Sequence, residues 1–147
     1  MRSLRFSRAF VLCASLALLL TVTATGKTGR EFAGTYAISD VQEQGDLVQA
    51  TLHLQLFNYG DEDVKSVIVT LVDSGPTMAL RGNFHPVKVW HSRQDIKLSQ
   101  QFTVTKREFA EWMNAPGQPN LVILFQDAKG QTWQRGAQLS RRPSLMQ

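Results

Sequence analysis

The chain has 147 residues, with sixteen Lys and Arg, twelve Asp and Glu, three His and a single Cys. One cysteine excludes an intrachain disulfide, and the length suits one ordinary domain behind an N-terminal signal. Three of the cations, Arg2, Arg5 and Arg8, stand at the very start, so thirteen cations face twelve acids beyond them and net charge gives no pull toward nucleic acid or an acidic membrane surface.

Behind those arginines an apolar stretch runs from Ala9 to Leu20, followed by the small residues Val22, Thr23 and Ala24. That order of charged, apolar and small is the pattern of a secretory signal peptide, and cleavage is expected after Ala24, which assigns residues 1–24 to the signal. The apolar part is shorter than the roughly 20 residues of a comfortable membrane span, so retention as an anchor is the alternative, and membrane contact is expected only in that case. Cys13 follows Leu12 inside the apolar core, the wrong place for acylation, and it departs with the signal. The mature domain then has no thiolate and no disulfide, and core packing alone must hold it. No Asn-x-Ser/Thr sequon occurs, which favours a bacterial envelope protein over a glycosylated ectodomain. The expected location is extracytoplasmic, periplasmic or secreted.

Residues 25–32 read as a flexible lead-in, 33–140 as the folded domain and 141–147 as a tail. The first candidate strand covers Gly34 to Val41. From Val48 the pattern is clearer: Val48, Ala50, Leu52, Leu54 and Leu56 fall on one face, and Gln49, Thr51, His53 and Gln55 on the other, the period-two alternation of a half-buried strand. Asn58-Tyr59-Gly60-Asp61 has turn chemistry. Val64 to Val72 carries β-branched residues on both faces, which predicts a central strand covered on each side. Ser74-Gly75-Pro76 ends it. Weaker strands are expected at Thr77 to Leu80 and Val87 to His91, and a firmer one from Ile96 to Val104.

A short capping helix is predicted near Thr105–Met113. The Thr105 hydroxyl is placed to accept from the Glu108 N–H while the Glu108 carboxylate reaches back to the Thr105 N–H, and Val104 and Phe109 have the spacing of a hydrophobic staple. Phe109, Trp112 and Met113 share the expected buried face, and Asn114, Pro116 and Gly117 stop the helix. Leu121 to Phe125, a turn at Asp127-Ala128-Lys129-Gly130, and Thr132 to Leu139 complete a hairpin. Seven to eight short strands at this spacing predict an all-β, two-sheet antiparallel sandwich.

The run from Ala50 to Asp73, an alternating strand, an Asn-Tyr-Gly-Asp turn and then Val-Lys-Ser-Val-Ile-Val-Thr-Leu, resembles the immunoglobulin-like or fibronectin-like modules of bacterial extracytoplasmic proteins. The resemblance implies an immunoglobulin-like sandwich serving adhesion, spacing or assembly, with a non-catalytic turn at the matching stretch. The cysteine pair and packing tryptophan of antibody domains are absent.

Among catalytic motifs, Leu71-Val72-Asp73-Ser74-Gly75 is similar to the active-site motif of aspartic proteases, which need two carboxylates sharing one proton. A domain of this size would have to dimerise to supply two copies of Asp73, in the manner of a retropepsin-like enzyme. Pro76 stands where a small Ala or Ser is usual, and the second signature of two apolar residues before a Gly is missing. Asp73, Ser74 and Gly75 also suit an ordinary turn, with Asp at its first position. His53, His85 and His91 share no metal-ligand spacing. Asp61-Glu62-Asp63 lacks the glycine and distal Glu of a calcium loop. Trp112 and Trp133 are expected to be buried. Trp90, opposite Val87 and Val89 and between Lys88 and His91, is the expected exposed aromatic contact for a binding partner, with burial against the second sheet as its alternative.

These residues predict an exported, non-catalytic module for protein binding or envelope assembly, with no cofactor, no metal and no nucleic acid. The alternative is the dimeric aspartic peptidase centred on Asp73. A subunit completed by a donated strand is a third class, marked by an unpaired sheet edge.

Overall fold

The computed structural model describes residues 31–143, so the signal, its cleavage site and Cys13 lie outside the described residues. The chain forms β1 (Phe32–Gln44), β2 (Leu47–Asn58), β3 (Val64–Val72), β4 (Leu80–Asn83), β5 (Val87–Trp90), β6 (Asp95–Thr105), α1 (Lys106–Met113), β7 (Asn120–Gln126), β8 (Thr132–Gly136) and β9 (Gln138–Arg141). One sheet has four strands in the order β6-β2-β1-β9. The other has five, ordered β4-β3-β7-β8, with β5 pairing alongside β3. The fold class is therefore all-β in two sheets with one short helix.

The alternation in β2 organises the core. Val48, Ala50, Leu52, Leu54 and Leu56 are all buried, and they face the buried Val67, Val69, Leu71 and Ile123 of the opposite sheet. Each buried Val, Leu or Ile among them contributes about 1.5–3 kcal/mol relative to exposure. Between β1 and β2 the turn takes only Gly45 and Asp46, and Gly45 has a φ of 59°, the positive value that a tight hairpin requires at this position. Gly34 in β1 is needed for a different reason: a Cβ there would lie 2.1 Å from the backbone oxygen of Gln55.

The structure departs from the expected boundaries at both ends. Phe32, placed in the flexible lead-in by sequence, opens β1 and is a core residue stacked on Trp90 with ring centroids 4.8 Å apart. At the other end the expected strand Thr132 to Leu139 divides. β8 stays antiparallel to β7, whereas beyond Gly136 the chain changes sheets, and β9 pairs in parallel with β1 from Ala33↔Gln138 to Tyr36↔Arg141. There are thus nine strands, not seven or eight, and the pairing is not wholly antiparallel. Arg141, placed in the tail by sequence, belongs to β9, and the Arg142 N–H continues the pairing by donating to the Tyr36 carbonyl at 2.8 Å.

The helix starts where it was expected, with Thr105 as N-cap accepting from the Glu108 N–H at 3.2 Å. The reciprocal half of the capping box does not form, because the Glu108 carboxylate is claimed by Arg81. Trp112 and Glu108 are the helix's buried residues, with Phe109 packed partly against the core and its ring 6.3 Å from that of Trp112. The buried Tyr36 hydroxyl donates to the Trp112 carbonyl and pins the helix to β1.

Candidate functional site

The residues singled out by sequence do not converge. Asp73 follows β3 and closes the turn into β4: its Oδ1 accepts from the N–H groups of Gly75 and Ala79, each at 3.1 Å, and its Oδ2 lies 3.5 Å from the Arg81 guanidinium. The Ser74 hydroxyl donates to Glu111 of the helix. Asp73, Ser74 and Gly75 therefore occupy a surface corner with the hydrogen bonding of a turn, the role that Asp at the first turn position fills through its own backbone.

The strongest electrostatic feature grows out of this corner. Arg81 donates to both oxygens of Glu108, from Nε at 3.2 Å and Nη2 at 2.9 Å. Glu108 is only 3% exposed, and this fork bridges the β3–β4 segment to α1. A bidentate guanidinium is the partner a desolvated carboxylate needs. The hydrogen bond to Glu108 raises the Arg81 pKa further above its ordinary value, against a smaller opposing effect of burial. No sequence motif marks the pair, since its members are 27 positions apart on separate elements.

Trp90 is a correction. It is 1% exposed, in register with the buried Val64, and its indole N–H donates to the Gln94 carbonyl at 3.0 Å. The exposed member of this strand is Val89, in register with Lys65. Val87 and Trp90, three positions apart, both pack toward the core, so β5 does not keep a strict two-residue alternation; opposite it in β3, Ser66 has a φ of 51°, at a register shift of β3 against β7. Trp112 is buried as expected. Trp133 is partly buried, donating to Asp127 Oδ2 at 2.9 Å and stacked under the Arg135 guanidinium.

The histidines serve three separate neighbourhoods. His53 sits on the outer face of β2, bridged by Ser39 at Nε2 (2.8 Å) and Ser99 at Nδ1 (2.7 Å). Ser39 in turn donates to Asp40, whose pKa is lowered by the hydroxyls of Ser39 and Thr51. His91 contacts Asp63 at 2.8 Å, and the Asp63 carboxyl is held below its usual range first by the Ser92 N–H and then by His91. Asp61 pairs with Arg93 at 2.7 Å. Asp61 and Asp63 thus tether one loop to the next. His85 is exposed. Among the described residues no group of three or more His, Cys, Asp or Glu is placed to hold a metal ion.

What sequence reasoning missed is a difference between the two outer faces. On the four-stranded sheet the centre of the outward rows is polar, with Gln49, Thr51, His53 and Gln55 on β2 and Lys97, Ser99, Gln101 and Thr103 beside them on β6, while the apolar Leu47 and Phe57 stand at the two ends of β2. On the five-stranded sheet the outward side carries more apolar side chains, between Lys65 at one end and the buried Thr70 and Val72 at the other. Register pairs Ile68 with Leu124 and Val72 with Leu80, and Val122 neighbours Thr70. Leu80 is 65% exposed, Val89 40% and Ile68 36%. The β-branched residues on both faces of β3 carry this signal in sequence, but among the described residues the expected cover on the second side reaches only Thr70 and Val72 and leaves Ile68 exposed. An open depression of about 420 Å³ lies elsewhere, on the outer side of α1, lined by Arg107, Ala110, Glu111, Asn114, Pro116 and Gly117.

No family model matches the chain, and no curated protein does. Solved structures with a similar course include the GH20 exo β-N-acetylglucosaminidase of Vibrio harveyi, in complex with N-acetylglucosamine, at 14% identity and a TM-score of 0.43 over 75% of this chain. An inactive mutant of the same enzyme matches equally. The structural-genomics target SoR45 matches at 7% identity and a TM-score of 0.38, over 78% of this chain and 88% of its own. The chain spans 18% of the length of the Vibrio enzyme.

Proposed function

We propose that the protein is an exported, non-catalytic β-sandwich module of immunoglobulin-like type, which binds a protein partner of the cell envelope through the outer face of its five-stranded sheet. The observation that carries this is the group of exposed Ile68, Leu80 and Val89 with half-buried Val122 and Leu124 on the outer side of that sheet, set against the polar centre of the other sheet's outward rows. An apolar patch exposed to water is a cost unless a partner removes it. The group holds no acid among its register partners, and Gln126, Gln134 and Asn120 rim it, the apolar centre and polar border of an interaction surface. The immunoglobulin-like assignment is supported by a chain that repeatedly changes sheets, between β2 and β3, β5 and β6, β6 and β7, and β8 and β9. The N-terminal charged, apolar and small-residue order supports export.

The test is a photoreactive amino acid placed at Leu124 in the native host, with the same group at Gln49, on the outer face of the inner strand β2, as control. A discrete adduct with an envelope protein from position 124, lost when Ile68→Lys is added and not seen from position 49, is expected. Equal labelling from both positions, or none from 124, rejects the reading.

A further inference from the structure

Among the described residues the four-stranded sheet ends at β6, which pairs with β2 on one side only. Its ladder runs from Leu47↔Thr105 to Phe57↔Asp95 without a register shift. At the two ends of that ladder the Lys106 N–H donates to the Asp46 carbonyl and the Asn58 N–H to the Gln94 carbonyl, each at 3.0 Å. Hydrogen-bonded and non-bonded pairs alternate along antiparallel strands. The even-numbered residues of β6 therefore bond to β2, while Lys97, Ser99, Gln101 and Thr103 turn their N–H and C=O groups to the open side.

Natural sheets blunt such an edge with proline, bulges, inward-pointing charges or several lysines along it. β6 has no proline, no bulge and only Asp95 and Lys97 as charges. Its inward row, Ile96, Leu98, Gln100, Phe102, Val104, is a palindrome of polarity about Gln100.

We propose that the open edge of β6 is a homodimer seam, in which two copies pair antiparallel about a two-fold axis at Gln100 and join their four-stranded sheets into one. In this register Ser99 exchanges backbone bonds with Gln101 of the second copy, and Lys97 with Thr103. Outward rows meet outward rows, Leu98 meets Phe102, Ile96 meets Val104, and neither Lys97 nor Asp95 faces a like charge. The two Gln100 amides lie opposite each other and satisfy each other's donors and acceptors. An unrelated strand would have to match this apolar, apolar, polar, apolar, apolar row, which a second copy supplies by symmetry. The seam is separate from the outer face of the five-stranded sheet, and neither depends on the other.

The axis puts Gln100 at a non-bonded pair, where Cα atoms approach to about 4.5 Å, within the roughly 4.4–6.8 Å of a disulfide. In a Cys13→Ser background, Gln100→Cys is expected to give a disulfide-linked dimer under mild oxidation, while Lys97→Cys, distant from its own copy, stays monomeric on reducing-agent-free gels. Sedimentation equilibrium reads the same seam without cysteine. Gln101→Pro deletes an N–H that β2 does not use, so the fold is kept while the dimer dissociation constant rises about tenfold or more, the loss of one or two net hydrogen bonds. A wild-type chain that stays monomeric up to millimolar concentration, or a Lys97→Cys chain that cross-links as fast as Gln100→Cys, overturns the proposal.

Discussion

Replacing Arg81 by Met removes the guanidinium that, among the described residues, reaches Glu108, and keeps most of the side chain's apolar length. Glu108, 3% exposed, is left as a carboxylate in low dielectric with no cation, whereas Arg81 itself is 28% exposed and keeps Asp73 within 3.5 Å when Glu108 is changed instead. The two deletions are therefore unequal. Breaking a buried pair so that its buried charge is stranded costs about 3–5 kcal/mol, a large part of the roughly 5–15 kcal/mol that stabilises a domain. Glu108→Gln strands no buried charge, its amide oxygen still accepts from Arg81, and the cost should be about 1–2 kcal/mol. The double change Arg81→Met with Glu108→Leu should be milder than Arg81→Met alone, since no unpaired charge remains. Urea unfolding followed by tryptophan fluorescence, with slopes compared across the series, measures all three. Arg81→Met within about 1 kcal/mol of wild type, or less damaging than Glu108→Gln, would refute the asymmetry and with it the view that Glu108 is effectively desolvated.

Trp90→Ala opens a cavity against Phe32 and should destabilise by about 3–5 kcal/mol in the same assay, whereas a surface contact residue would cost under about 0.5. Tyr36→Phe deprives the Trp112 carbonyl of its donor and should cost about 1–3 kcal/mol, with protection from hydrogen exchange lost first in α1. Asp127 has its pKa lowered from 3.8, first by the Trp133 indole N–H and then by backbone donors of its turn. Its folded value lies below its unfolded one, so its contribution is complete above 3.8 and is lost as pH falls through the lowered folded value. A Trp133 fluorescence transition below that pH, abolished by Asp127→Asn, is the expected readout.

The legible parts of this chain are those where a local rule has no competitor. The alternation in β2 has five apolar side chains in phase, and the Thr105 cap lies one residue before the helix. Phe32 escaped notice because one aromatic behind Gly29, Arg30 and Glu31 makes no pattern; only its stacking on Trp90 reveals it as core. Glu108 obeyed the capping-box spacing, yet a guanidinium on β4 outcompetes a backbone N–H for a buried carboxylate. Counting twos through β5 puts Trp90 opposite the valines, whereas Val87 and Trp90 both pack toward the core, a departure from alternation that four residues do not announce. The division of β8 from β9 is a change of partner strand, and periodicity within one strand carries no information about its neighbour.

The placement of charge explains how such a domain can leave large surfaces open. Asp61 with Arg93 and Asp63 with His91 sit in the loops at one end, Lys106 with Glu43 at the start of the helix, and Arg135 with Glu31 at the first described residue. Exposed pairs of this kind are worth about 0–1 kcal/mol each, so they fix loops more than they stabilise the fold. Stability then rests on the inward rows and the Arg81–Glu108 fork, neither of which includes an outward side chain of the five-stranded sheet or an edge-facing N–H of β6. Apolar residues such as Ile68 and Leu80 can therefore be exchanged for polar ones at little cost to folding, which leaves their side chains free for the contact proposed for this face.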